Sequence, residues 1–253
     1  MPGTSESKNP RGVKITFTEQ THKYVSIIDD KEISYSSATG FVHKFFPEFD
    51  EKRVSAFVAK KQGKTQQQIL DEWHKKRDDS CFFGTKVHET AEDVLTNRPF
   101  RNTPKSLKEE IVFKKAKAYA QKFKDNMDVL GVEQIVFDER LQLAGTIDLL
   151  LRSKKDGSII IADWKTNSEI KMENSFEKGL FPIEHVQNCN YFHYALQLNL
   201  YQFLLTYSGY YPKDTNFKRM LIHLNDETSN VYMLPDMQNE IKDMMIAWLS
   251  TKR

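Results

Sequence analysis

Asp148, Asp163 and Lys165 are the residues whose types and spacing point most directly to chemistry. They interrupt two apolar runs, LAGTIDLLL and SIIIADW, which read as strands joined by the turn-forming KKDG. Asp163 and Lys165 are two apart, so on a strand they share a face. A symmetric turn centred between Lys155 and Asp156 sets Asp148 opposite Asp163, whereas an Asp-Gly turn at Asp156 and Gly157 sets it opposite Lys165. In either register all three stand on one face. Two carboxylates and an ammonium among Ile and Leu are costly to bury unless they pair or hold a cation. A hard divalent metal on carboxylate oxygens, with a lysine beside it, meets that requirement and suits hydrolysis. A buried Asp-Lys pair, or strand ends that reach water, would account for any one of these residues singly. Partners elsewhere in the chain favour metal for the set.

The first partner is His88, in the helix GTKVHETAEDVLTN that Gly84 opens. Val87, Ala91, Val94 and Leu95 form its apolar stripe, His88 borders that stripe, and Glu92 stands one turn on along the same side. An imidazole nitrogen would complete a mixed nitrogen and oxygen site that suits Mn²⁺ and tolerates Mg²⁺. Glu133 lies on the strand of residues 129–139, the first of three consecutive strands. It is either an acid just outside the metal's ligands or a surface carboxylate. The segment YFHYALQLNLYQFLLTY reads as a buried helix, apolar nearly all round. Gln197 and Tyr201 are four apart on it and turn an amide and a phenol inward, toward an active site or toward neighbouring backbone.

Several further elements position these residues. The first dozen residues read as a loose tail. Residues 13–35 alternate as a β-hairpin with its turn near Asp29 and Asp30. Ser36 or Ser37 caps a short helix that runs to Phe46 and is ended by Pro47. Helices over residues 50–62 and 65–79, the second carrying Trp73, make a helical cap before the core. A helix over 104–127 starts at Pro104 and aligns Lys105, Lys108, Lys115 and Lys122 along one side, as a solvated face or a phosphate-tracking stripe. A polar loop follows Thr166. A hairpin over 217–234 turning at NDETSN and a helix over 236–250 complete the chain. Residues 13–253 are thus expected to be one domain, with hairpin and cap in 13–80 and the core in 81–253.

At 253 residues the chain is long enough for one α/β domain with a sizeable core. A formal charge of only +2 confines any nucleic-acid surface to a local basic patch. Cys81 and Cys189 form neither a metal-ligand spacing nor a disulfide framework, which fits a reducing compartment. No apolar run approaches the ~20 residues of a membrane span, and the N-terminus lacks the apolar centre of a signal peptide. A soluble intracellular protein is expected.

The ordered set GTKVHETAE, AGTIDLL, ADWKT and ALQLNLY resembles the PD-(D/E)XK nuclease superfamily, specifically its RecB-like branch. Within that branch it is similar to the mitochondrial genome maintenance exonucleases and related viral and phage nucleases, over residues 35–205. Ile147 stands where the name pattern has proline, and Asp163 where glutamate is frequent; both departures are common in this branch. The resemblance implies a restriction-endonuclease-like α/β fold of order αβββαβ, with a mixed sheet flanked by helices. It implies that His88, Asp148, Asp163 and the Trp164 carbonyl hold one or two Mg²⁺ or Mn²⁺ ions. Lys165 would orient or activate the attacking water, and Gln197, Tyr201 and Thr166 would help place the DNA, with Glu92 and Glu133 behind the ligands. The iron-sulfur cluster of some relatives needs four cysteines, so none is expected. The activity implied is a single-strand-preferring DNA exonuclease of replication, repair or recombination that leaves a 5′ phosphate. An endonuclease, including the RNA cap-snatching type, and a non-catalytic DNA-binding module are the alternatives.

Overall fold

The computed structural model describes residues 3–251. Its N-terminal part is a meander of strands β1 (Thr4–Lys8), β2 (Lys14–Thr18), β3 (Lys23–Ile28) and β4 (Lys31–Ser37), each antiparallel to the next. Two expectations change here. The stretch before residue 13 is not loose where it is described, because β1 pairs with β2 from Thr4↔Thr18 to Lys8↔Lys14; Met1 and Pro2 lie outside the described residues. The single hairpin over 13–35 is three strands, with left-handed residues at His22 as well as at Asp29 and Asp30. Arg11 fastens this meander to the rest, donating to Asp138 (2.6 Å), Glu139 (2.9 Å) and the Ser208 carbonyl (3.1 Å).

Helix α1 (Ala38–His43) is capped by the Ser37 hydroxyl, which accepts from the Gly40 N–H at 3.0 Å. Then come α2 (Glu51–Gln62), ended by left-handed Gly63, and α3 (Gln66–Leu95), started by a Thr65–Gln68 capping box. The break expected between residue 79 and Gly84 does not occur: α3 is one helix of 30 residues. Gly84 is tolerated inside it although glycine costs about 1 kcal/mol in a helix interior. A Cβ at that position would meet Thr166 Oγ1 at 3.3 Å, so glycine lets the helix lie against the strand end that carries the lysine. The first half of α3 pairs with α2 through His74–Glu51 and with the turn between them through Lys64–Glu72, so the expected helical cap is a two-helix arm.

Helix α4 (Leu107–Asn126) begins at Ser106, whose hydroxyl accepts from Glu109 N–H, and not at Pro104. Strands β5 (Met127–Asp138), β6 (Leu143–Ser153) and β7 (Ile159–Lys165) follow as the expected antiparallel meander. Helix α5 (Asn190–Tyr207) crosses back to β8 (Phe217–Leu224), which runs parallel to β7 and turns into β9 (Ser229–Met233); α6 (Gln238–Ser250) ends the described chain. The protein is therefore a mixed α/β sheet flanked by helices. Ile159 and Ile161 pack on the side of α1, α5 and α6, while Ile160, Ala162 and Trp164 pack on the side of α3 and α4. A strand buried on both faces in this way explains the unbroken apolar run SIIIADW.

Candidate active site

The site lies where β6 changes partners. Its first residues pair in parallel with β4 at Leu143 and Ala144, and its last pair with β7 from Leu149↔Ala162 to Arg152↔Ile159. That register is the symmetric one, with Asp148 facing Asp163 just beyond the last ladder pair. The Asp148 carboxylate continues the pairing by accepting the Trp164 backbone N–H at 2.9 Å. On the other edge of β6, Val132↔Leu149 and Gln134↔Ile147 set Glu133 directly opposite Asp148. Glu133, Asp148 and Asp163 thus form a row across three neighbouring strands.

His88 enters from α3, at the edge of that row. Its Nε2–H donates to the Trp164 carbonyl at 3.0 Å, which fixes the ring and turns Nδ1 to Asp148 Oδ2 (3.4 Å) and Glu133 Oε1 (3.8 Å). One ligand atom from each of His88, Glu133 and Asp148 fits within 4.8 Å of the others. Asp163 is drawn to Lys165, whose Nζ is 2.5 Å from Oδ2. Lys165 in turn lies 4.8 Å from the centre of the Tyr194 ring. Trp164 is buried against Phe123 in the α3–α4 core, so the strand that carries both groups is anchored between them.

The electrostatics show a site short of positive charge. Burial alone lowers the His88 imidazole, but Asp148 and then Glu133 outweigh it and hold the pKa up at about 9. Burial pushes Asp163 up to about 6, with Lys165 pulling it down and Asp148 adding to the rise. Burial and Glu133 also raise Asp148 against the pull of His88. Lys165 is held above its usual range, because Asp163 and Asp148 more than offset its burial. One imidazole nitrogen and two carboxylates, gathered so closely that they retain a proton as counter-charge, fit a hard to borderline divalent ion.

Not every expected residue joins this group. Glu92 gives its carboxylate to Arg98 and Arg101. The Trp164 carbonyl, expected as a ligand, accepts from His88. Gln197 and Tyr201 do meet, Gln197 Nε2 donating to the buried Tyr201 hydroxyl at 3.0 Å. Gly145 makes room for that phenol, since a Cβ there would fall 2.5 Å from the Tyr201 ring. His223 of β8 and Asn225 just after it escaped the sequence reading. His223 stands in register with Lys165 and donates to the Asn167 carbonyl (2.7 Å), and Asn225 donates to that of Ser168 (3.1 Å). They pin the segment that follows the lysine, and only the parallel β7–β8 pairing reveals it.

Beside Lys165 runs a cleft of about 1350 Å³, walled by α3, the 166–171 segment and α5. Lys75, Lys76, Lys108, Lys165, Lys171 and Thr166 line it, interspersed with acids such as Glu72, Asp79 and Glu169. Lys115, one of the lysines expected to track phosphate, is spent on structure, donating to the Asn225, Asp226 and Thr228 carbonyls, and Lys64 pairs with Glu72. Trp73 packs near Phe49, with ring centres 6.0 Å apart, and does not line the cleft.

A mixed sheet that places acids on adjacent strands, with a lysine two residues on and an open cleft beside it, suits a phosphodiester-cleaving site of the metal-assisted class. The model of the PD-(D/E)XK nuclease superfamily matches residues 40–249, and the chain belongs to that superfamily. It is accordingly a nuclease, of a class that uses divalent metal to cut DNA. No curated protein matches the sequence. Among the described residues, no helix is long and apolar enough to cross a membrane.

Proposed function

We propose that this nuclease is a Mg²⁺- or Mn²⁺-dependent exonuclease that prefers single-stranded DNA and serves replication, repair or recombination. The observation that carries the reading is the cleft between α3 and the segment that begins at Lys165. A strand lying in it passes Lys75 and Lys76 on one side and Lys165 and Lys171 on the other. Cations on opposite walls suit a flexible backbone threaded between them.

His88, Glu133 and Asp148 are the groups that would hold the metal, with Asp163 completing the acidic row. When bound, the ion neutralises the phosphodiester and lowers the pKa of water at the site. Lys165 contributes a fixed positive charge beside the attacked phosphate and, through Asp163, keeps the ammonium aimed along the row. Tyr194 limits where that ammonium reaches, and its hydroxyl donates to Asn167 Oδ1 at 3.0 Å. Gln197 presents its amide to the strand from α5, held from behind by the buried Tyr201 hydroxyl. Water attacks in line with the bond from phosphorus to the 3′ oxygen, and breakage of that bond leaves the phosphate on the 5′ end of one product and a hydroxyl on the 3′ end of the other.

Degradation of end-labelled linear single strands alongside closed single-stranded circles, with Mg²⁺ and with Mn²⁺, tests this reading. The linear strand is expected to shorten from an end while the circle persists. Efficient cutting of the circle would make the protein an endonuclease, because a circle offers no end to thread.

A further inference from the structure

Beside the cleft, between α1 and α5, lies a second cavity of about 290 Å³. Its walls are facing sides of two helices, with Thr39 and His43 on α1 and Asn190, His193, Tyr194 and Gln197 at helical spacing on α5. Thr39, Asn190, Tyr194 and Gln197 also line the cleft, so the two spaces are continuous.

We infer that this cavity receives one unpaired nucleobase, that of a nucleotide flanking the phosphate addressed by Lys165. The inference rests on the nuclease reading above and adds a base-binding subsite to it.

The walls suit a flat, uncharged ring. Among the described residues, no Lys, Arg, Asp or Glu lines the cavity, so it offers a phosphate no charged partner. The His193 ring lies 4.1 Å from that of Phe46 and 5.4 Å from that of His43, centre to centre. Asn188 Oδ1 accepts from His193 Nε2–H at 2.8 Å and fixes the plane of the imidazole. Burial, with His43 adding to it, lowers His193 to about 4, so at neutral pH this ring is uncharged and presents a π-face. Stacking on such faces tolerates any base, because every base has one. The Thr39 hydroxyl and Gln197 amide supply polar groups for a base edge.

Tyr194 sets the distance. It lines the cavity while its ring lies 4.8 Å from Lys165 Nζ, so one residue links base site and phosphate site. A base inside a duplex would have to leave its stack and its partner to enter, at a cost an unpaired strand does not bear. The cavity therefore supplies a reason for single-strand preference that is independent of the arm.

Abasic scanning tests the subsite. Single strands of one sequence, each lacking one base, are cut by the wild-type protein and by Thr39→Phe, which fills the cavity from an exposed position. Thermal melting of both proteins shows that each is folded. The wild type is expected to lose about tenfold in kcat/KM when the missing base flanks the cut phosphate on one side, and little elsewhere. Thr39→Phe is expected to cut intact strands about tenfold more slowly and to be indifferent to the missing base. A flat wild-type profile, or the same dip in both proteins, would overturn the base site while leaving the nuclease reading in place. Failure of the wild type to cut even the intact strand would instead sink the reading on which it rests.

Discussion

Glu133 and Asp148 face each other across β5 and β6, and His88 Nδ1 approaches both, at 3.8 and 3.4 Å. Glu133 achieves this from a left-handed backbone position (φ 49°), a conformation uncommon for a residue with a side chain and one that marks functional sites. An acid expected behind the ligands or at the surface thus stands beside both His88 and Asp148.

Glu133→Gln is therefore expected to lower the affinity for Mn²⁺ by about 10–100-fold, the usual loss when a group of a metal site is altered. It should also lower the pKa of metal-free His88 from about 9, because Glu133 is one of the two acids that raise it. The sign is that of a raised base: the imidazolium persists to higher pH than in the variant. NMR titration of the His88 ring without metal checks this, and an unchanged midpoint would remove Glu133 from the group.

His88→Ala should shift activity to higher Mn²⁺ concentration, since a nitrogen donor favours Mn²⁺ over Mg²⁺. Metal titrations of cleavage check it. Identical curves for variant and wild type would make His88 a residue that only braces the Trp164 carbonyl.

Lys165→Ala should abolish cleavage and leave metal binding nearly intact, because an ammonium is no ligand. Calorimetry with Mn²⁺ separates the two effects. Affinity lost together with activity would show that the lysine holds the acids in place and has no separate part in the reaction.

Gly145→Ala places a Cβ 2.5 Å from the Tyr201 ring. Overpacking of this kind costs about 1–3 kcal/mol. Thermal melting should show the loss, and kcat should fall because Gln197 and Tyr201 move with the ring. A stable, fully active variant would deny the close approach.

Asp138 is buried, and although burial alone raises its carboxyl, bonds from Arg140, the Leu141 N–H, Arg11 and Ser208 hold it below the usual carboxylate range. A depressed folded-state pKa adds stability that is full above the unfolded-state value and is lost as pH falls through the folded one. Acid unfolding should therefore be less steep in Asp138→Asn, which should also cost about 3 kcal/mol at neutral pH. Equal pH slopes for the two proteins would contradict this account of the Arg11 tie.

Much of the fold was legible because its signals are local. The β5–β6–β7 meander, the Ser37 cap, the turn at Asp29 and Asp30 and the buried α5 each follow from short patterns of apolar residues and turn formers. The α3 helix was divided in two because Gly84 reads as a break, and only its contact with Thr166 explains why it is not. The N-terminal strand was missed because TSESK is polar on both faces and owes its order to pairing with β2. In the site, the spacing of Asp163 and Lys165 was enough to find the lysine and its partner. The closeness of Glu133 to His88 and Asp148 was not legible because it depends on cross-strand register, and His223 was overlooked because parallel neighbours leave no mark in sequence order.

The central claim is that the acidic row holds the metal that cleaves DNA. Its most direct test is single-turnover cleavage of an end-labelled single strand by the wild type and by Asp163→Asn, in Mg²⁺, in Mn²⁺ and in EDTA, with DNA binding measured in parallel. Cleavage should require the divalent ion and fall by at least about a hundredfold in the variant, while DNA binding survives. Retention of a tenth of wild-type turnover by Asp163→Asn, or cleavage by the wild type in EDTA, would contradict the account.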